Sequence, residues 1–243
     1  MVSSAGVVVV GNEILSGKVQ DLNGPFLTRE LRACGVRLGR VAVLPDEVAE
    51  IAFEVGRMTG QFDHVITTGG IGATHDDVTL QGVADAFGLP LEPHAELVQM
   101  FVERTGEPPA GAAERLTLLP AGAELIRTGR PAYPLVRVRN VFIFPGVPRF
   151  LQQKFELLRP LLQGEPFHLR RLFLSVDEGR VADLLERLDR RFSNVDVGSY
   201  PKFDPGVDHA VEVTLESRNP EAADQVLAEL EAELQADWIV RKE

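Results

Sequence analysis

Between residues 69 and 79 the chain reads Gly-Gly-Ile-Gly-Ala-Thr-His-Asp-Asp-Val-Thr. Three glycines within four positions let a backbone approach an anion and turn successive N–H groups toward phosphate oxygens. A helix opening behind them adds the positive end of its dipole. Gly69, Gly70, Gly72 and Thr74 are therefore candidate phosphate ligands. The loop lacks the Gly-Lys-Ser/Thr of a Walker A motif and the spacing of a Rossmann GxGxxG. On spacing alone, a tight strand-to-helix turn with Asp76 or Asp77 as N-cap explains the same residues equally well. The two adjacent acids suggest more: one can cap the helix while the other holds Mg²⁺ through oxygen or water ligands beside a phosphate. Two carboxylates next to an anion repel it unless a cation lies between them.

The elements that must position this loop are legible as alternating short apolar runs and amphipathic segments, the pattern of an α/β unit with a buried, mostly parallel sheet. Strands are expected at Gly6–Val10, Val36–Leu44 and His64–Thr68. Helices are expected at Asp21–Ala33, Glu47–Met58, Asp77–Phe87, His94–Arg104 and Phe150–Leu162. GEPPAGAA has the content of a surface loop, and Leu135–Val138 with Val141–Phe144 reads as a hairpin around Arg139-Asn140. From Glu165 onward the pattern changes to strand Leu169–Val176, helix Glu178–Phe192, strands Val195–Tyr200 and Ala210–Ser217, helix Glu221–Gln235 and strand Trp238–Arg241. That order, βαββαβ, is the split βαβ of ferredoxin-like folds. The expected organisation is thus two domains, residues 1–165 and 166–243.

With 243 residues the chain is long enough to bury a core without staples, and its one cysteine excludes an intrachain disulfide. Cys34 reads as a small packing residue. The apolar run Val7–Val10 is too short for a signal peptide or a membrane span, so a cytoplasmic protein is expected. A balance of 25 basic against 36 acidic residues, with no long Lys/Arg cluster, weighs against nucleic acid as a partner.

Four motifs in order give a resemblance. TTGGIGATHDDVT at 67–79, GNEILSGKVQDLN at 11–23, LPDE at 44–47 and FPGVP at 144–148 resemble the molybdopterin-binding (MoaB/Mog-like) superfamily. Within it they are most similar to the amino-terminal domain of CinA and to the domain attached to eukaryotic FAD synthases. The segment from Asp196 to Ala223 also resembles the region carboxy-terminal to that domain in this branch.

The resemblance implies a three-layer α/β/α domain with a small α+β, ferredoxin-like domain behind it. It implies a pterin or nucleotide phosphate held by Gly69, Gly70, Gly72 and Thr74, with Asp76 and Asp77 beside metal and ligand. Asp46 matches the acid at the end of the second strand and joins Asp76 and Asp77 as a catalytic candidate. Glu13 and Asn23 belong to the first motif, and Gly146 and Pro148 to a loop closing the pocket. Molybdenum-cofactor members adenylylate molybdopterin with Mg-ATP, whereas CinA-like and FAD-synthase-associated members are linked to metal-dependent pyrophosphate cleavage of ADP-ribose or FAD.

Val147 stands where molybdenum-cofactor members carry Ser or Asn, and Arg149-Phe150-Leu151 replaces the Ser-Glu-Met of CinA. Both departures lean toward the FAD-synthase-associated branch and away from molybdopterin adenylylation. No amidohydrolase domain follows, so nicotinamide-nucleotide deamidation is not expected. The expectation is a metal-dependent (Mg, Mn or Co) nucleotide pyrophosphatase with a small-molecule nucleotide or pterin phosphate as partner, no nucleic acid and no membrane, assembled as a homodimer or homotrimer. The alternative is a non-catalytic module that binds molybdopterin or an adenine nucleotide.

Plainer readings accompany several of these residues. Asp46 needs no chemistry if it caps a helix, and His75 either meets metal or phosphate or faces solvent. Tyr200, Lys202 and Phe203 either reach a base or pack a turn. Arg137, Arg139 and the remaining histidines are expected at the surface.

Overall fold

The computed structural model describes residues 3–127, 133–162, 164–204 and 206–243. The chain divides into two compact units, residues 1–164 and 165–243. The first contains β1 (Ser4–Val10), α1 (Asn12–Leu15), α2 (Asn23–Ala33), β2 (Arg37–Leu44), α3 (Val48–Thr59), β3 (His64–Thr68), α4 (Thr79–Phe87) and β4 (Leu91–Pro93). It continues through α5 (Ala95–Thr105), β5 (Leu118–Pro120), β6 (Glu124–Ile126), β7 (Leu135–Val138), β8 (Val141–Phe144) and α6 (Pro148–Leu158). Six strands form one sheet in the order β2-β1-β3-β8-β7-β6. The first four pair in parallel, and β7 runs antiparallel to both of its neighbours, β8 and β6.

The run Val7–Val10 is apolar throughout because both faces of the sheet are covered. Val7 and Val9 join Leu27 and Leu31 of α2 and Leu151 and Phe155 of α6. Val8 and Val10 face the other way, onto Ile51, Val55 and Met58 of α3 and Val83 of α4. The result is three layers, α/β/α. Phe155 is fully buried and meets Phe26 edge-on at 5.7 Å between centroids, a burial that stabilises by about 1.5–3 kcal/mol.

Register sets the functional edge. Val10 pairs with Leu44, Val9 with Thr68, and Thr68 with Phe144. The four parallel strands therefore end side by side, and Gly11, Pro45, Gly69 and Pro145 follow them along one rim. The chain goes from β1 out to β2 and returns to β3 on β1's other side, so the strand order reverses between β1 and β3. Open α/β sheets take ligands outside the carboxyl ends of strands at such a point.

Several boundaries differ from the sequence expectation. Helix α4 begins at Thr79, with Val78 as N-cap and no capping side chain, so neither Asp76 nor Asp77 caps it. Helix α2 begins at Asn23 because Asp21 Oδ1 accepts the N–H groups of Asn23 (2.9 Å) and Gly24 (3.0 Å) and ends the preceding loop there. Helix α6 starts two residues early, at Pro148, whose fixed φ suits a first turn. It gives way to a 3₁₀ turn at Arg159–Leu161, where Pro160 cannot donate. Within GEPPAGAA, 3₁₀ helix begins at Gly111. The β7/β8 hairpin forms as read, with Arg139 at φ 54°. Arg139 is exposed as expected, whereas Arg137 is half-buried and pairs with Glu124 at 3.6 Å.

Lys154 on α6 is 8% exposed and has a neutral environment. Its ammonium donates to the carbonyls of Tyr133 and, at 2.6 Å, Pro134. Burial pushes its pKa down from 10.5 to about 8. Below that value the ammonium is charged in both folded and unfolded chains, and its desolvation cost is present in full. Between about 8 and 10.5 the folded chain loses the proton first, so stability rises with pH. Relative to Lys154→Met, the unfolding free energy of the wild type is expected to climb by roughly 2–3 kcal/mol across that window. Urea unfolding of both proteins at each pH measures it, and a flat difference would show a solvated ammonium.

The second unit runs β9 (His168–Leu174), α7 (Ala182–Arg191), β10 (Asp196–Pro201), β11 (Val211–Ser217), α8 (Pro220–Glu233) and β12 (Ile239–Lys242). Its sheet order is β10-β11-β9-β12 with every neighbour antiparallel, the ferredoxin-like arrangement. Leu184, Leu185 and Leu188 of α7 and Val226 and Leu230 of α8 close over Leu172, Leu174, Val213 and Leu215. Asn219 caps α8 by accepting the N–H of Glu221 at 2.9 Å.

One surface assignment is corrected here. The His209 side chain is 7% exposed, bonded to Asp208 at 2.8 Å, with its ring edge on Phe173. His209 and then Arg241 hold the Asp208 carboxyl down to about 2. Tyr200 and Phe203 are 53% and 90% exposed, so neither packs its turn. Among the described residues no helix is long and apolar enough to cross a membrane.

Candidate functional site

Gly69 leaves β3 at φ +98°, and a Cβ there would overlap the Val10 carbonyl oxygen of β1. Only glycine lets β3 turn this close to its neighbour. Gly70 follows at φ +60°; its carbonyl accepts the Thr79 N–H at 2.9 Å, and a Cβ would lie 2.5 Å from Thr79 Oγ1. This bond folds the start of α4 back onto the glycines. The next donors of the first turn have no intrahelical partner, and no side chain caps them. The arrangement is the one that suits an anion.

The acids are placed unequally. Asp77 Oδ2 accepts the Thr74 N–H at 2.9 Å and the Thr74 hydroxyl, closing the loop on itself. A Cβ on Gly72 would lie 2.5 Å from the same oxygen, so the carboxylate lies over the glycine backbone. Asp76 is exposed, and the Thr74 hydroxyl beside it holds its carboxyl below the ordinary range. A hydroxyl carries one proton and serves one acid at a time, and in the structure it donates to Asp77. His75 is 94% exposed, 4.0 Å from Asp76.

Asn23 lies on the other side of Gly69. It is 6% exposed, and its Nδ2 donates to Thr68 Oγ1 at 3.0 Å and to the Gly146 carbonyl at 2.7 Å. The Thr68 hydroxyl in turn donates to the Pro145 carbonyl at 3.0 Å. A Cβ on Gly146 would lie 3.2 Å from Gly69 Cα. The first motif, the end of β3 and the PGVP loop are thus tied into one junction, while Pro148 opens α6 and Val147 stays half exposed at 50%.

Asp46 and Glu13 serve the β1 end. Asp46 Oδ2 accepts the Asn12 N–H at 2.8 Å, so it does not cap α3, the helix it precedes, whose N-cap is Glu47 with no capping side chain, and instead holds the start of α1 from beyond β2. The Glu13 carboxylate lies over Gly11, where a Cβ would be 2.6 Å from Oε1. Asp46→Ala is expected to cost about 1 kcal/mol of stability, as lost caps do. Guanidinium unfolding would register it, and an unchanged midpoint would free Asp46 for another role.

Among the described residues no group of three or more His, Cys, Asp or Glu is placed to hold a metal. Asp76 and Asp77 offer two hard oxygen donors. Mg²⁺ commonly takes one or two carboxylates and fills its shell with water and substrate phosphate. The pair fits a site completed by the ligand and does not fit a tight, all-protein one. Mg²⁺ titration is therefore expected to give weak binding to the protein alone and binding at least tenfold tighter with ADP present. Equal affinities would refute a shared site.

Three participants escaped the sequence reading. Thr68 and Thr79 are fully buried at the two ends of the loop, and Asp21 caps α2 beside Asn23. Threonines flanking a glycine loop and an acid two residues before a buried Asn were the available signals. Thr79 Oγ1 and Asn23 Oδ1 are both buried without a hydrogen-bond partner among the described residues.

Comparison with known proteins identifies the family of the fold. The MoCF_biosynth family, probable molybdopterin binding domains, matches residues 6–164, and the FAD synthase middle domain family matches residues 166–243. A protein of Archaeoglobus fulgidus is 32% identical over 81% of this chain and 85% of its own length. A probable FAD synthase of Caenorhabditis elegans is 31% identical over 98% of this chain and 51% of its own. The chain thus spans about half the length of that relative. The crystal structure of CinA from Thermoplasma acidophilum, a protein of unknown function, superposes with TM-score 0.60 at 25% identity, covering 66% of this chain and 99% of that one. The chain belongs to the molybdopterin binding domain family, in its CinA-related branch.

Proposed function

We propose that the amino-terminal unit binds an ADP-type diphosphate on the 69–74 loop and hydrolyses its pyrophosphate bond, with ADP-ribose or FAD as substrate class. One observation carries this reading: the uncapped start of α4, folded back on Gly70, follows directly on the two carboxylates of Asp76 and Asp77, one of which lies over Gly72. The N–H groups between the two ends of the loop, those of Gly70, Ile71 and Gly72, would hold the bridging and terminal oxygens, since Gly69 donates to the Phe144 carbonyl and Thr74 to Asp77, and fixed donors of that kind stabilise charge as it develops on phosphorus.

A divalent ion (Mg, Mn or Co) held with Asp76 and Asp77 would supply Lewis acidity and a lowered water pKa. In the reaction a water oxygen bonds to phosphorus, the anhydride P–O bond breaks, and the water's proton passes to solvent or to a nearby carboxylate. AMP and the partner phosphomonoester result. Assay of ADP-ribose, FAD and NADH with each metal tests this; AMP release is expected from at least one, and none from any would overturn it.

The engagement of Asp77 by Thr74 favours a second reading, in which the acids only shape the loop and the unit is a binding module. Asp76→Ala separates the two. A hydrolase loses rate far more than affinity, and a module loses no rate and holds the anion as well or better.

A further inference from the structure

The amide of Asn23 is fixed in orientation. Gly146 O can only accept, so the group 2.7 Å from it must be the NH₂, and the same NH₂ reaches Thr68 Oγ1. Oδ1 is therefore an acceptor pointing elsewhere, buried and with no donor among the described residues. Asp21 already satisfies the N–H groups of Asn23 and Gly24, and Pro25 after them has none to offer. An anion does not fit there; a group carrying a hydroxyl or N–H does.

The acceptor's place narrows which one. Asn23 is bonded to Gly146, which abuts Gly69, and Gly69 precedes the Gly70 turn. A donor this close to the phosphate cradle lies one ester linkage away, on the pentose, whereas the donors of an adenine lie beyond the sugar. Oδ1 is covered in the structure. The PGVP loop that shares its amide is exposed at Gly146 and Val147, and admitting a hydroxyl to Oδ1 requires that loop to move.

We propose that Asn23 Oδ1 is a specificity-determining acceptor for a ribose hydroxyl of the nucleotide whose phosphate the glycine loop holds. This rests on the nucleotide reading of the site. A ligand lacking the hydroxyl leaves a buried acceptor unpaired, and sites built on such a bond reject the deoxy analogue strongly.

The test is calorimetric titration of the wild-type chain, in Mg²⁺, with ADP, 2′-deoxy-ADP and 3′-deoxy-ADP. One deoxy compound is expected to bind roughly 10- to 100-fold more weakly than ADP. Equal affinities for all three would overturn the role of Asn23 and leave the phosphate site standing. No binding of ADP itself would overturn both. Asn23→Ala is expected to bind ADP and its deoxy forms alike, and because the analogues probe the wild type, the answer does not depend on that variant folding.

Discussion

Gly69→Ala is expected to lose about 3 kcal/mol of stability or more, and Gly72→Ala less than about 1. At Gly69 the added methyl meets the Val10 carbonyl, backbone of a central strand that cannot retreat, and φ +98° suits no L side chain. At Gly72 the obstacle is the end of the Asp77 side chain, which can swing away. That swing frees the carboxylate that closes the loop, so Gly72→Ala should weaken diphosphate binding about tenfold, worth about 1.4 kcal/mol, with little loss of fold. Equilibrium unfolding and ADP titration of both variants measure the split. Equal destabilisation would mean that the loop, and not the β1/β3 junction, sets the cost.

The second large effect concerns rate. Asp76→Ala is expected to lower kcat for pyrophosphate cleavage on the order of 100-fold or more, with nucleotide affinity in Mg²⁺ falling by only about tenfold, the share that the metal lends it. Thr74 keeps the Asp76 carboxyl below its ordinary range, so it stays ionised through the neutral and mildly acidic region. Its contribution is present at high pH and is lost only as pH falls through that depressed pKa, so activity limited by Asp76 should hold steady down to at least the usual carboxylate range. A kcat equal to wild type would return Asp76 to the role of a solvated loop acid.

Much of this was written in residues with a strong local cause. The valine run of β1 encodes a strand buried on both faces, and the glycines after β3 encode a turn that only they can make. The βαββαβ order of the second unit followed from the periodicities of its two helices. What escaped depends on contacts distant in sequence. Asp46 caps a turn more than thirty residues away, which no spacing reveals, and Asp77 bonds Thr74 where a cap for α4 was expected. The three-residue strands β4, β5 and β6 are too short to show a period. His209 is buried by a salt-bridged Asp and a phenylalanine from another strand, so its exposure could not be judged from its polar neighbours in the chain.

The central claim is that a diphosphate lies on the glycine loop against the start of α4. Amide ¹H–¹⁵N spectra of the deuterated protein, recorded as ADP is added in Mg²⁺, test it most directly. The largest shifts are expected at Gly70, Ile71, Gly72 and the free donors of the first turn of α4, Leu80 and Gln81, and downfield, as for N–H groups donating to phosphate. Saturable shifts confined to other segments, with these amides unmoved, would contradict it.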